Sequence, residues 1–401
     1  MFGAIILIIV LYLFTLPLLS KFKAKFPWLS VKFLQNLFWY HILFAIIYYA
    51  FTRTTTSDSK AYYFMASRYT NWLDAYESGT VFLHFVSYPF VKYLMFSYEM
   101  MMVLFSWLGY WGFVYFYIVF KENIRHKHQL FGFDLINVFI LLPNMHYWTA
   151  SLGKGSIIFL GIAMAIYGLS RLESRKLALI LGLAIVYHVR PHVFLFMGVG
   201  ILVGIFTGKE KVPFYQKAIV FVGSAVTLFL LYNTILTFVG LDQENLFGSF
   251  TEFADTRAFE LAKAKSGIDT SNYPIILKLL TFWFRPLFFD APSFIGVVVS
   301  FENLLYLFLT FKLFDRKFLG YIKAAPALVK TSAVAFLATS FALSGTLSNL
   351  GIIIRQKSMV MYFLLLLILS FMDYKKKGPT GVIKKTVTKR DKIPNPQINF
   401  G

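Results

Sequence analysis

Long apolar runs recur from one end of the chain to the other, most of them ended by Lys, Arg or Pro. Their length, roughly 17 to 25 residues, matches what an α-helix needs to cross a bilayer. The pattern predicts membrane spans over 2–19, 34–51, 98–120, 131–150, 155–171, 177–190, 191–207, 217–240, 292–311, 331–348 and 356–372. The expected fold class is therefore all-α, a polytopic integral membrane protein of about eleven transmembrane helices. Segment 80–97 is almost as apolar but holds His84, Pro89 and Lys92, and reads as interfacial or re-entrant.

Charge then sets the orientation. Segments 20–33, 121–130, 171–176, 208–217, 312–330 and 373–401 together carry 26 of the 39 Lys and Arg. Cytoplasmic loops are the basic ones, so the N-terminus is expected outside and the C-terminus inside, in a cytoplasmic membrane. Making 80–97 a full span would move the basic Lys121–Lys127 loop outside. The run Met1–Leu19 is followed, not preceded, by Lys21, Lys23 and Lys25. That is the reverse of a signal peptide, so it reads as a retained first span.

On this layout residues 1–372 form one transmembrane domain with two long outer segments, 52–97 and 241–291. The second holds seven acids, and its stretch Phe250–Lys265 has the apolar spacing of an amphipathic helix. Residues 373–401, with eight Lys or Arg, read as a solvated, disordered cytoplasmic tail.

Composition agrees and narrows the classes. Of the 401 residues 58% are hydrophobic and 14% charged, with 47 Phe. A soluble domain averages about 45–50% apolar and about 25% charged, so a soluble enzyme and a disordered chain are both excluded. The net charge of +20 is explained by membrane orientation and anionic lipid, and no nucleic-acid partner is expected. With zero cysteines there is no disulfide, Cys-ligated zinc or thiol nucleophile. No HExxH, EF-hand loop or Gly-x-Ser-x-Gly elbow occurs. Gly153-Lys154-Gly155-Ser156 lacks the spacing of a phosphate-binding loop. No metal and no cofactor is expected.

The candidate chemistry lies on one side. Asp58, His146, Lys154, His188, Arg190, His192, Arg285, Arg355 and Lys357 all fall at or near the expected outer face. Charges near hydrocarbon usually face a cavity or a partner, so a polar or polyanionic substrate is expected there. In His188-Val-Arg190-Pro191-His192 the proline breaks one apolar run into two short spans. Arg190 offers a fork of donors for phosphate oxygens, and the histidines suit phosphate binding or proton transfer. Arg285-Pro286 repeats the theme beside Trp283. Arg355 and Lys357 stand where the charge rule disfavours cations, which implies an anionic partner such as a lipid phosphate. Asp58 is a candidate general base for a sugar hydroxyl. Aromatic and polar residues in Pro143–Ser156, with His146 and Trp148, suit a sugar.

Arg53, Asp58 and Tyr62-Tyr63, followed by Tyr76-Glu77-Ser78-Gly79, resemble the start of EpsG- and Wzy-type exopolysaccharide and O-antigen polymerases. That group tends to show an Arg, a Gly-Asp-x-x-x-Tyr-like element and a Glu-Pro-Gly-like turn. Here Ser57 stands for the glycine and Ser78 for the proline. The stretch His146–Lys154, the Arg190-Pro191-His192 triplet and Arg355 are similar to features of such membrane glycan enzymes. The resemblance implies a lipid-linked glycan substrate on undecaprenyl diphosphate, outer-face arginines that engage the diphosphate, and partner proteins of a polysaccharide assembly pathway. The GT-C glycosyltransferases share the multi-span plan and use an acid in their first outer loop, a role Asp58 also fits. A flippase of the same lipid needs the cationic cavity but no base.

Overall fold

The computed structural model describes residues 1–210, 213–215, 217–223, 225–226, 256–263, 266–270 and 272–377. The described residues are helical apart from turns, one bridge between Gly267 and Asn349, and a hairpin pairing Gln129–Leu130 with Phe133–Asp134. Two long helices, α1 (Phe2–Lys25) and α2 (Val31–Thr54), lead to α3 (Asp58–Arg68), the short α4 (Val81–Tyr88) and the 26-residue α5 (Tyr98–Asn123). Then come α6 (Leu135–Ile140), α7 (Pro143–Thr149), α8 (Lys154–Ser170), α9 (Lys176–Val189) and α10 (Pro191–Thr207). After the central part of the chain follow α11 (Ile275–Phe284), α12 (Phe294–Thr310), α13 (Lys317–Lys323), α14 (Ala327–Thr346), α15 (Leu350–Gln356) and α16 (Met361–Lys377).

Five helices, α1, α2, α5, α12 (with its following turn) and α14, are long and apolar enough to cross a membrane; α15 and α16, bent by 57° at their junction, form a sixth if taken as one span. Helices α8, α9, α10 and α11 are apolar but shorter. One stretch departs from the expected layout, and segment 80–97 keeps to it. The 131–150 span is two short helices, α6 and α7, separated at Leu141–Leu142. Pro143 opens α7 at its first turn, where its missing N–H costs nothing. Segment 80–97 is α4 plus a single wide turn over Pro89–Tyr93, too short to cross. The expected span 217–240 beyond 226, most of the acidic outer segment up to Asp255, and the tail from 378 lie outside the described residues. Of the expected amphipathic helix, 256–262 is helical.

Burial ranks the helices. In α5 83% of the apolar window is buried, against 17% in α1, so α5 is central and α1 lies at the edge. Residues 359–369 at the start of α16 are all buried too. Tyr362 packs 4.4 Å from Phe116 and 5.3 Å from Phe159, joining α16 to α5 and α8. Small residues bring the flanking helices close. A Cβ on Gly204 of α10 would lie 2.1 Å from Thr331 Oγ1 of α14, and one on Gly182 of α9 would lie 2.4 Å from the Ala165 nitrogen of α8. Only glycine permits such backbone approach, the usual device where lipid supplies no hydrophobic drive between helices.

Candidate functional site

The end of α2, the starts of α5 and α8, the α9–α10 junction and α15 meet at one end of the bundle. Ser57 caps α3 through its side chain, which places Asp58 at the first helical position. Asn349 caps α15 in the same way, accepting from the Ile352 N–H at 3.1 Å. These two caps aim residues 297 positions apart at each other: Arg355 Nη1 donates to Asp58 Oδ2 at 2.9 Å. Trp148 of α7 backs the pair, its ring centre 5.8 Å from the Arg355 guanidinium carbon.

More cations surround this pair. Lys154, at the first position of α8, feels the charges of Arg190, Arg355, Asp58 and Arg257. Burial first, then Arg190 and Arg355, push its ammonium down to about 8, against the opposing pull of Asp58. Arg190 sits where Pro191 starts α10. Its Nε is buried with no hydrogen-bond partner. A buried guanidinium donor without an acceptor is a costly arrangement that an anion would relieve. His192 lies within electrostatic reach of Arg190, Lys154 and Arg257.

The loop between α3 and α4 covers the cluster. Lys154 Nζ donates to Thr80 Oγ1 at 2.6 Å, and the His188 carbonyl accepts from the Gly79 N–H at 2.7 Å. Tyr76 Oη and His188 Nε2 are hydrogen-bonded at 2.8 Å. Beneath, a cavity of about 10 Å³ is lined by Tyr48, Asp58, Tyr62, Trp148 and Arg355 among others. That is room for about one water, whereas small-molecule sites run to about 300–1,000 Å³.

Other candidates sit elsewhere. His146 is fully buried in the core, its Nδ1 2.7 Å from that of His41 and its ring stacked on Phe113 at 3.9 Å. The aromatic faces around it and its bond to the Ile140 carbonyl hold it inward. The expectation of a sugar contact from His146 is not met in this geometry. Lys357 is also fully buried and donates to Asn303 Oδ1 at 2.5 Å and to the Arg285 carbonyl at 2.9 Å. It ties α12 and the α11–α12 turn to the α15–α16 junction and does not face the cluster. The Arg285 side chain is held by Asp290, with Nε–Oδ2 at 2.5 Å. Arg53 is exposed and its charge acts on Tyr49, whose hydroxyl donates to Glu99.

Thus Asp58, Trp148, Lys154, His188, Arg190, His192 and Arg355 converge, and Arg53, His146, Arg285 and Lys357 do not. Arg257 and Thr80 join the cluster without having been singled out, and Tyr62, noted only for the family resemblance, joins it too. Arg257 falls within the apolar spacing of 250–265, which marks it as an ordinary polar position on an amphipathic helix. Among the described residues no group of three or more His, Asp or Glu is placed to hold a metal ion. Comparison with family models, with curated proteins and with solved structures finds no match for this chain.

Proposed function

We propose that this chain is a multi-span membrane glycosyltransferase that polymerises lipid-linked oligosaccharide repeat units at the outer face of the cytoplasmic membrane. About eleven apolar segments cross, N-terminus outside and C-terminus inside, with the short helices α8, α9 and α10 crossing beside the long ones. The observation that carries the reading is the Asp58–Arg355 pair at 2.9 Å, flanked by Lys154, Arg190 and Arg257 at one end of an apolar bundle. Four cations around one carboxylate suit a diphosphate ester, and the exposed carboxylate suits an acceptor hydroxyl.

The chemistry balances as a substitution. Asp58 takes the proton of an acceptor sugar hydroxyl as that oxygen attacks the anomeric carbon of the donor. The bond from that carbon to the diphosphate oxygen breaks, and the polyprenyl diphosphate leaves with the bonding pair. Arg190, Arg355 and Lys154 stabilise the charge that develops on it, the kind of fixed electrostatic aid that contributes most to such reactions. Because Arg355 is bonded to Asp58 when no substrate is bound, the arriving diphosphate takes over the guanidinium and releases the carboxylate. Donor binding thereby prepares the base.

The reading is tested by binding of a short polyprenyl diphosphate, such as geranyl diphosphate, to the purified full-length protein. Arg355→Ala and Arg190→Ala should each weaken it at least tenfold, since bonds to charged groups contribute about 1.5–3 kcal/mol. Equal affinity in both variants would remove the anion site and with it the proposal.

A further inference from the structure

At the far end of α16 from Arg355, about 24 Å of helix away, lies a second and much larger opening. It is a cavity of about 790 Å³, open to the surface, lined by Lys312, Arg316, Lys317, Lys375 and Lys376 and by the aromatic rings of Phe311, Phe314 and Phe371. Asp315 is the one acid in its lining and is already bonded to Lys375 at 2.6 Å. Of the five cations lining the space, Lys375 is thus paired with the lone carboxylate and four are not matched by an acid in the lining. Other basic residues at this end are paired differently: Arg175 with Glu122 at 2.7 Å and Lys121 with Asp134 at 2.9 Å.

An apolar rail leads to the cavity. On α12 and its following turn, Phe294, Val297, Phe301, Leu304, Phe308 and Phe311 are all exposed. They recur every three or four residues, so they form one stripe along the helix. The stripe ends at Phe311 and the 84%-exposed Phe314, on the rim of the cationic cavity. A cationic cavity at one end and an exposed apolar stripe leading away from it match the anionic headgroup and acyl chains of a phospholipid. The chain's own segment beyond 377 is a poor occupant, because it carries Lys384, Lys385, Lys389, Arg390 and Lys392 against Asp391.

We propose that this cavity is a binding site for the phosphodiester headgroup of an anionic phospholipid, whose acyl chains lie along the Phe301–Leu304–Phe308 stripe. The proposal rests on the membrane-embedded reading of the chain but not on the chemistry of the Asp58–Arg355 cluster. A basic pocket between helices on the cytoplasmic side is a usual place for anionic lipid.

The test uses the full-length protein in a zwitterionic detergent, with phosphatidylglycerol, phosphatidylcholine and inorganic phosphate as probes. Lipid binding is read by mass spectrometry of the intact complex. Phosphatidylglycerol should bind in preference to phosphatidylcholine. Arg316 and Lys317 are exposed, so R316A/K317A should keep the fold and its thermal midpoint without lipid. The double variant should lose about 25-fold in phosphatidylglycerol affinity, roughly fivefold for each cation. Phe308→Ser should lower it further through the rail. Equal binding of the two lipids, or unchanged affinity in the double variant, overturns the site. Competition by inorganic phosphate at concentrations equal to the lipid also overturns it, since the ligand would then be a free anion. Because Arg355→Ala leaves this cavity intact, it should bind phosphatidylglycerol normally even if the proposed reaction at the other end is wrong.

Discussion

Asp58→Asn separates what the Asp58–Arg355 pair does for the fold from what it does for the reaction. The substitution keeps the shape of the side chain and its place in α3 but removes the charge and the proton acceptor. The Asp58 side chain is 61% exposed and that of Arg355 29%. An ion pair so open to solvent contributes about 0.2–1 kcal/mol, so the thermal midpoint should barely move. Turnover should respond strongly, because loss of a positioned general base costs about 10²–10⁴ in rate. Affinity should move the other way. In the native protein a diphosphate must displace Asp58 from Arg355; in the variant it need not. Removing that competition should tighten geranyl diphosphate binding by about 1.5- to 5-fold, the same free energy seen from the ligand side. Calorimetric titration of the purified variant gives the affinity, and polymer yield in cells gives the turnover. Weaker binding together with normal polymer would refute both the base assignment and the displacement argument.

Other outcomes follow from the same geometry. With Lys154 lowered to about 8 by burial and by Arg190 and Arg355, its charge is present below that pH and lost above it. Diphosphate affinity should therefore fall as pH rises through about 8, and Lys154→Arg should remove that fall; titration across pH 6.5–9.5 checks it. Lys357→Met should strand the Asn303 and Arg285 oxygens, at about 1–3 kcal/mol for each buried group left unpaired, seen as a lower thermal midpoint. Arg285→Ala should leave geranyl diphosphate affinity unchanged, since its guanidinium is engaged by Asp290. Cysteine introduced at the exposed Lys127 or Lys376 should react with membrane-impermeant reagent only after the cells are opened, whereas one at Lys60 should react in intact cells; the reverse pattern would invert the orientation.

The helical class and the main long helices were legible because a run of apolar residues long enough to span a bilayer has few other folded outcomes. Helix α5 and the α9–α10 break at Pro191 fall close to where the pattern puts them. The break inside the 131–150 run was not legible, because apolar character alone does not register that Leu141 and Leu142 leave the helix before Pro143. Asp58, Lys154, Arg190 and Arg355 were visible as ionisable residues at the ends of apolar runs. Their common side was expected, but the pairing of Asp58 with Arg355 was not legible, since it depends on two capped helices distant in sequence meeting across the bundle. Arg285 and Lys357 carry the same sequence signal but turn toward Asp290, Asn303 and a backbone carbonyl. His146 looks interfacial beside Trp148, yet helix α7 directs the two to different surroundings, His146 to His41 and Trp148 to Arg355.

The central claim, that the cluster transfers a glycan from a lipid diphosphate at the outer face, is most directly tested by Arg190→Lys in cells that make the polymer. Lysine keeps the charge but loses the fork that grips two phosphate oxygens, so polymer should fall by about 10²–10³. Lipid-linked single repeat units should then accumulate where membrane-impermeant glycosidase can reach them in intact cells. The same units protected from that enzyme until the cells are opened would contradict the account and make the protein a transporter of its lipid-linked glycan.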